Sequence, residues 1–220
     1  MRRALLTGAS GLVGGCCQRR LLDSDNWDEV VSLVRRPCGY VHPRLREVVV
    51  DFNSLAGLSE ENFRAETAFC CLGTTLRKAG SLSAQHKVDV EYVTEFAKLS
   101  LRHDVRHFLV VSSLGADRES ASAYLRMKGE MEHEVFKLGF PIVDVLQPSL
   151  LLGDRVESRT AESVAQYLFR LIDPLMHVLL PKYRAIAADK VAAALEALAE
   201  EPQLGFHVHL SDRIPTLGGP

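Results

Sequence analysis

The stretch "ALLTGASGLVGG", residues 4–15, decides the fold of this chain. Its apolar start predicts a strand, the glycines at every third position predict a tight turn, and residues 11 to about 22 have the pattern of a helix. Such glycines let the backbone approach a pyrophosphate, whose charge meets the free N–H groups at the helix start. The alternative is a tight turn without a ligand. The contacts expected for a dinucleotide are Gly8, Ser10, Gly11, Leu12, Val13 and Gly14.

Strand-like and helical patterns alternate along the following 130 or so residues. Apolar runs such as "VVSLV", "TAFCCLG", "HFLVVSS" and "PIVDVLQP" are separated by helical segments, which predicts a parallel sheet covered on both faces. We therefore expect an α/β protein with a Rossmann-like, doubly wound parallel sheet. It should form a single NAD(P)-binding domain over residues 1–220, with 150–205 as a small helical, substrate-side C-terminal part.

Composition excludes several classes of protein. The chain has 220 residues, 47% of them hydrophobic, and 26 Lys and Arg against 28 Asp and Glu. It therefore lacks the basic footprint of a nucleic-acid binder. Its longest apolar candidate, residues 164–181, is interrupted by charged residues and a proline, so no membrane span is expected. Five cysteines, with two adjacent pairs, suit a reducing compartment. These features predict a cytoplasmic protein.

Two arginines follow the second predicted strand. At this position a NAD-binding protein offers Asp or Glu to the ribose hydroxyls, whereas this chain has Arg35 and Arg36. Guanidinium groups suit a 2′-phosphate, so the expected cofactor is NADP(H). Two solvated surface arginines are the alternative. Asp51 and Phe52 end the third strand at the same edge, where they could reach the adenine amino group and flank its ring.

A helical stripe in "SASAYLRMKGEMEHEVFKLG", residues 120–139, contains an inward-facing cation. Tyr124, Lys128, Met131 and Val135 recur at the spacing of one helix face. A buried ammonium needs a polar partner. Because the cleft of a doubly wound sheet lies at the carboxyl ends of its strands, we expect a bound cofactor to supply that partner.

These motifs together resemble a known family. The glycine loop, Tyr124-x-x-x-Lys128 and an upstream Ser112-Ser113 are similar to the short-chain dehydrogenase/reductase superfamily. "FCCLGTT", "KVDVEYV" and "LLLGDRVESR" narrow the resemblance to the Tat-interactive protein family of atypical reductases, also called the CC-three type. The resemblance implies a Rossmann fold that binds NADPH, with Tyr124 and Lys128 as the reductase pair. It also allows a homodimer. Asp89 departs from the superfamily, which usually has asparagine there.

The chemistry of carbonyl reduction suits these residues. A free tyrosine, with a pKa near 10, holds its proton too tightly, and a cation one helical turn away stabilises the phenolate. Lys128 would do this and also bind the nicotinamide ribose. Strand alternation turns Ser112 and Ser113 to opposite sides, and Ser113 is preferred as the substrate-polarising serine, with Ser112 close behind. Leu72, Gly73 and Thr74 should lie against the cofactor, and Pro148 and Ser149 should border the nicotinamide.

The other candidate functional residues have simpler structural explanations. Cys70 and Cys71 suit core packing better than redox chemistry, and His207 and His209 lack a third metal ligand, so no metal site is expected. Residues 160–180 could form the substrate wall, or a core or dimer helix. The leading function is an NADPH-dependent oxidoreductase acting on a small carbonyl compound. The alternatives are a non-catalytic NADPH-binding regulator or redox sensor and, with only about 70 residues after Pro148, a disfavoured nucleotide-sugar epimerase.

Overall fold

The structure is a computed structural model that describes residues 2–152 and 184–219. Its strands are β1 (Arg3–Thr7), β2 (Glu29–Val34), β3 (Leu45–Val49), β4 (Thr67–Cys70), β5 (His107–Val111), β6 (Ile142–Gln147), β7 (Leu151–Leu152), β8 (Ile186–Ala187) and β9 (Gly205–Leu210). Its helices are α1 (Leu12–Asp23), α2 (Leu76–Ala79), α3 (Leu82–His86), α4 (Tyr92–Arg102), α5 (Ala123–Lys137), α6 (Ala188–Glu200) and α7 (Ile214–Leu217).

Seven of these strands form one sheet in the order β3-β2-β1-β4-β5-β6-β9. Every neighbouring pair in it is parallel. The chain moves outward in one direction from β1 to β3 and then crosses over to β4, on the other side of β1. The strand order therefore reverses between β1 and β4, and a crevice opens there at the carboxyl edge of the sheet. The predicted Rossmann-like, doubly wound sheet is confirmed.

Apolar side chains cover both faces of this sheet. One core contains Leu5, Phe108 and Val145 together with residues of α4 and α5, such as Phe96 and Met131. The opposite core packs α1 and α6 against the other face. Because each central strand is buried on both sides, its sequence reads as a continuous apolar run and not as an alternation.

Helix α5 carries the predicted catalytic pair. It begins after Ser122, whose Oγ accepts a hydrogen bond from the backbone N–H of Leu125, and the chain leaves it at Gly139 with a φ of +74°. Lys128 is only 3% exposed, whereas Tyr124 is 37% exposed. Gly129 lets the preceding loop pack closely, since a Cβ there would lie 2.5 Å from the backbone nitrogen of Arg118.

Two predicted features involve the C-terminal third. The proposed substrate wall at 160–180 lies outside the described residues. Within the segment 150–205, α6 packs beside α1, where Arg20 Nη2 lies 2.8 Å from Asp189 Oδ2. The division of the chain into a binding part and a substrate-side part stays a prediction. No helix in residues 2–152 and 184–219 is long and apolar enough to cross a membrane.

Candidate functional site

The glycine loop and the start of α1 form the floor of the site. The backbone N–H of Gly11 donates to the Gly8 carbonyl oxygen at 2.8 Å, and α1 begins at the next residue without a capping side chain or an acidic residue in its first turn. The first N–H groups of α1 therefore lack helical partners, as a phosphate-binding helix start requires. This arrangement fits the pyrophosphate of a dinucleotide.

The structure requires glycine at positions 8, 11 and 14 to different degrees. Gly8 has a φ of +84°, and a Cβ there would lie 2.4 Å from the Cys71 carbonyl oxygen. A Cβ on Gly14 would lie 2.2 Å from the carbonyl oxygen of Gly8. Both glycines thus allow close backbone packing within the protein. Gly11 is less confined, because a Cβ there would lie 3.1 Å from the same oxygen. Gly11 also lines two neighbouring cavities.

The first of these cavities, the arginine cavity, has a volume of about 810 Å³. It contains both predicted arginines, Arg35 and Arg36, and a third, Arg19, that the sequence reasoning missed. The signal was present, because Arg19 follows Gly15 by four residues and so lies on the same face of α1 as Gly15 and Gly11. Its lining residues are Ala9, Ser10, Gly11, Gly15, Gln18, Arg19, Arg35, Arg36, Pro37, Cys38 and Tyr40.

Asp51 and Phe52 do not line the arginine cavity, contrary to the expected adenine contacts. Phe52 is 5% exposed and packs in the core against Tyr92, with ring centroids 5.5 Å apart. Asp51 accepts hydrogen bonds from the backbone N–H and the side-chain amide of Asn53, at 2.9 and 2.7 Å. The chain turns away after β3, so the Asp51 side chain is used within the turn and the Phe52 ring packs in the core. Tyr40 and Pro37 line the cavity instead.

The second cavity, the tyrosine cleft, has a volume of about 590 Å³ and joins the arginine cavity through Ser10, Gly11, Gly15 and Arg19. It brings the glycine loop together with the end of β4 and with Tyr124 and Lys128 on α5. Its lining residues are Ser10, Gly11, Leu12, Val13, Gly15, Cys16, Arg19, Cys71, Leu72, Gly73, Thr74, Thr75, Lys78, Asp89, Val111, Ser112, Tyr124, Lys128 and Leu151. The predicted contacts Leu72, Gly73 and Thr74 are thus beside the helix start.

Lys128 has a protein partner, which the sequence reasoning did not anticipate. Its Nζ lies 2.9 Å from Asp89 Oδ1, and both side chains are almost fully buried. The other carboxylate oxygen accepts a hydrogen bond from the backbone N–H of Thr74 at 3.0 Å. Asp89 lies in the π-helical turn Lys87–Glu91 that precedes α4. The expectation that a ligand supplies the partner is therefore corrected, because this carboxylate already neutralises the ammonium.

The same carboxylate keeps Lys128 charged. Burial lowers the pKa of Lys128, but the attraction of Asp89 and of Tyr124 outweighs it, and the pKa is raised above its ordinary value. A charged ammonium on the floor of the cleft can still donate hydrogen bonds, because one carboxylate oxygen occupies only one of its three N–H groups.

The structure reverses the preference between the two serines. Ser112 is 5% exposed, lines the tyrosine cleft with Tyr124 and Lys128, and donates its hydroxyl proton to Glu132. Ser113 does not line the cleft. Successive side chains point to opposite sides, so Ser112 and Ser113 cannot both face Tyr124 and Lys128, and the structure turns Ser112 toward them at the end of β5.

Pro148 and Ser149 also lie off both cavities. The Pro148 carbonyl accepts from the backbone N–H of Leu114 at 2.9 Å, and the Ser149 backbone N–H donates to Ser211 Oγ at 3.0 Å. They join the end of β6 to neighbouring loops, and their predicted place beside the nicotinamide stays a prediction. Leu151, in the short strand β7, contributes the apolar wall at this side of the cleft.

The cysteines and histidines have structural partners. Burial raises the pKa of Cys70 to about 12. A hydrogen bond with Cys17 and, to a smaller extent, burial raise the pKa of Cys71. Both thiols are therefore protonated. His209 Nε2 lies 2.6 Å from Asp144 Oδ1. In the described part of the chain, no group of three or more His, Cys, Asp or Glu could hold a metal ion.

Comparison with known proteins identifies the family. No protein-family model matches the chain. HTATIP2 from Rattus norvegicus is 35% identical over 171 residues, which are 76% of this chain and 70% of the relative. FMP52 from Debaryomyces hansenii is 30% identical over 202 residues, 90% of this chain and 88% of the relative. The chain belongs to the atypical short-chain dehydrogenase/reductase family of HTATIP2 and FMP52. The predicted resemblance is confirmed.

Solved structures with this fold are more distant in sequence. MoeE5, in a complex with UDP-glucuronic acid and NAD, matches with a TM-score of 0.71 over 94% of this HTATIP2/FMP52 family member and 75% of that chain, at 20% identity. A UDP-glucose 4-epimerase from Thermotoga maritima matches with a TM-score of 0.67 at 14% identity. The match covers 97% of this protein and 80% of the epimerase chain. At such identities the likeness establishes the fold alone.

The predicted cytoplasmic location is wrong on this comparison. The FMP52 relatives from Candida glabrata, Debaryomyces hansenii and Saccharomyces cerevisiae are named as mitochondrial proteins, and they are 30 to 37% identical to this family member. The prediction rested on cysteines that suit a reducing compartment and on the lack of a long uncharged apolar run. Such a run marks secretion or membrane insertion, whereas a mitochondrial address does not require one.

Proposed function

We propose that this protein is an NADPH-dependent reductase of a small carbonyl compound. One observation carries the proposal: a continuous surface leads from three arginines, past the uncapped start of α1, to Tyr124, Lys128 and Ser112. MoeE5, which shares this fold, is known in a complex with NAD, and this supports a nicotinamide dinucleotide as the cofactor.

The arginine cavity favours the phosphorylated form of the cofactor. Arg19 and Arg36 approach from α1 and from the loop after β2, and Arg35 lies beside them. In the residues that the structure describes, no acidic side chain lines this cavity. A 2′-phosphate would be matched by guanidinium donors there, whereas ribose hydroxyls would lack the carboxylate that they need.

The tyrosine cleft holds the groups that carbonyl reduction needs. Bound NADPH supplies the hydride. Tyr124, 37% exposed at the opening of the cleft, can reach a substrate oxygen and donate its phenolic proton to it. Lys128 lies one helical turn along the same face, and its ammonium stabilises the phenolate that remains. Ser112 offers a third polar group at the end of β5.

Two contacts favour the alternative, a non-catalytic NADPH-binding regulator. Asp89 neutralises much of the charge with which Lys128 would activate Tyr124. Ser112 donates its hydroxyl proton to Glu132 and so cannot donate it to a substrate at the same time. The reductase is preferred because Tyr124 stays open to the cleft and the ammonium stays charged. Turnover separates the two functions.

Cofactor choice is tested by thermal melting. NADPH at about 100 times its dissociation constant should stabilise the protein by about 2.7 kcal/mol, and NADH at the same concentration far less. Replacing Arg35 and Arg36 together by alanine should weaken NADPH binding by about 1.5 to 3 kcal/mol and leave NADH binding unchanged. Arg102→Ala is the matched control, since Arg102 is exposed at the end of α4 and lines neither cavity. Equal shifts with both cofactors would refute the preference.

Catalysis is tested at Tyr124. Tyr124→Phe removes only the hydroxyl, so NADPH affinity should stay nearly normal while carbonyl reduction falls by about 10² to 10⁴. The assay follows NADPH oxidation against aldehydes, quinones and ketones, with cofactor affinity measured in parallel. A Tyr124→Phe variant as active as the native protein removes Tyr124 from the mechanism. A native protein that binds NADPH and reduces nothing in the panel favours the regulator.

A further inference from the structure

Behind the tyrosine cleft lies a partly buried carboxylate that the reaction above does not use. Glu132 is on α5, one turn beyond Lys128, and does not line the cleft. It accepts hydrogen bonds from Ser112 Oγ and from Gln147 Nε2, which lies 2.9 Å from Oε1 and 3.1 Å from Oε2. Ser112 and Gln147 are themselves buried, at 5% and 7% exposure. The carboxylate therefore holds the serine from the side away from the cleft.

The direction of this hydrogen bond decides what Ser112 can do. A serine hydroxyl has one proton. While Ser112 donates that proton to an ionised Glu132, it offers the cleft only lone pairs, and it cannot donate to the oxygen of a substrate carbonyl. If Glu132 carries a proton, Glu132 can donate to Ser112 Oγ, and the serine proton becomes free to point into the cleft.

We propose that Glu132 is a positioning residue whose protonation turns Ser112 from an acceptor into a donor toward the substrate oxygen. The inference rests on the proposed reductase function and adds a pH control to the same site. It requires no reactant beyond the proton that Glu132 gains from solvent. That proton stays on Glu132 throughout the turnover, while Tyr124 supplies the proton of the reaction.

The surroundings of Glu132 favour its protonation. Burial raises the pKa of Glu132, and the hydrogen bonds from Ser112 and Gln147 and the charge of Lys128 lower it by less, so that the pKa lies above the ordinary value. Among the described residues, Lys128 is the only charged group that acts on it from the cleft side, and Asp89 balances that charge. In the described residues, its hydrogen-bond partners at the end of β5 and on β6 are the neutral Ser112 and Gln147.

The first test compares pH profiles of kcat in three proteins. In the native protein kcat should fall as the pH rises through the raised pKa of Glu132. In Glu132→Gln the amide donates to Ser112 Oγ while its oxygen still accepts from Gln147, so kcat should stay at the acid-form value across this range. Glu134→Gln is the matched control, because it removes a carboxylate from the outer face of the same helix, where Glu134 pairs with Lys137 at 3.1 Å. Its profile should follow the native one.

Two further variants separate positioning from folding. Glu132→Ala leaves Ser112 and Gln147 without their acceptor, and kcat should fall about tenfold to a hundredfold, the range known for groups that orient a primary residue. NADPH affinity and KM should change much less. Ser112→Ala should lose activity and the pH dependence together. A Glu132→Gln profile like the native one, or an inactive Glu132→Gln with normal folding and NADPH affinity, overturns the proposal.

The second test needs neither cofactor nor turnover. In protein labelled with 13C at the glutamate carboxyl groups, NMR should show a carboxyl that titrates above the ordinary range and is absent in Glu132→Gln; Glu196, whose pKa burial also raises, should stay in both spectra. The pKa of Glu132 should rise further in Ser112→Ala, since the serine hydrogen bond lowers it. An unchanged titration in Ser112→Ala refutes the coupling. A protein that passes this test but reduces no carbonyl refutes the proposed function, and with it any catalytic role of Glu132.

Discussion

Replacing Asp89 by asparagine should destabilise the ligand-free protein strongly. The change keeps the shape of the side chain and an oxygen that can accept from the Thr74 backbone N–H, 3.0 Å away in the native protein. It removes only the charge that faces Lys128 Nζ at 2.9 Å. The buried ammonium is then left without a counter-charge.

The size of the effect follows from the burial of the pair. At 2.9 Å the attraction is about 6 kcal/mol at an effective dielectric constant of about 20. Much of it offsets the cost of removing both ions from water, so the pair adds little net stability. Removing one partner alone is expensive, however, and should cost about 3 to 5 kcal/mol. For a chain of this length, the melting temperature should fall by about 6 to 20 °C.

The assay is thermal and urea unfolding at pH 7 without ligand. Asp51→Asn is the matched control, because Asp51 also accepts from a backbone N–H, at 2.9 Å, but is exposed, and the melting temperature should hardly change. Lys128→Met combined with Asp89→Asn should cost less than the sum of the single changes by about 1 to 3 kcal/mol. Because the pKa of Lys128 is raised, the contribution of the pair is complete below about pH 10 and is lost as the pH rises through that pKa.

An Asp89→Asn protein with a native melting temperature, together with additive single and double variants, would refute this reasoning. It would mean that the ammonium is neutral or solvated in the native protein. Lys128 could then not supply the positive charge that the proposed reduction requires.

Three other substitutions test the glycine loop and strand β6. Gly11→Val should fold normally but lose its thermal stabilisation by NADPH. Gly14→Val should itself be less stable, because its Cβ would lie 2.2 Å from the Gly8 carbonyl oxygen. If NADPH raises the melting temperature of Gly11→Val as much as that of the native protein, the cofactor binds elsewhere. Asp144→Asn should cost about 1.5 to 3 kcal/mol in urea unfolding at pH 7, because Asp144 accepts from two buried or half-buried histidines at 2.7 and 2.6 Å. Burial raises the pKa of Asp144, but the two histidine hydrogen bonds outweigh it and the pKa is lowered, so the difference from the native protein should shrink as the pH falls from about 4 through that pKa. If the difference in unfolding free energy between Asp144→Asn and the native protein stays constant down to pH 2, Asp144 is not the ionised partner of the two histidines.

The site was predictable wherever local spacing alone places the residues. Tyr124 and Lys128 are one helical turn apart, so any helix over this stretch puts them on one face. Arg35 and Arg36 follow the second strand directly, and the carboxyl end of that strand reaches the crevice in every doubly wound sheet. Asp51 and Phe52 were misplaced because the direction of a turn after a strand depends on packing that spacing does not express.

The amino-acid sequence by itself determined the order of strands and helices, the glycine loop and the placement of Tyr124 and Lys128 on one helix face. These depend on periodicity and on backbone geometry, which act over a few residues. Tertiary structure alone decided that Ser112 and not Ser113 faces the cleft, because the side of β5 that α5 covers is set by packing between elements distant in the chain. It also decided that Asp89 meets Lys128. The two lie far apart in the chain, and only the packing of a π-helical turn against α5 brings the carboxylate to the ammonium.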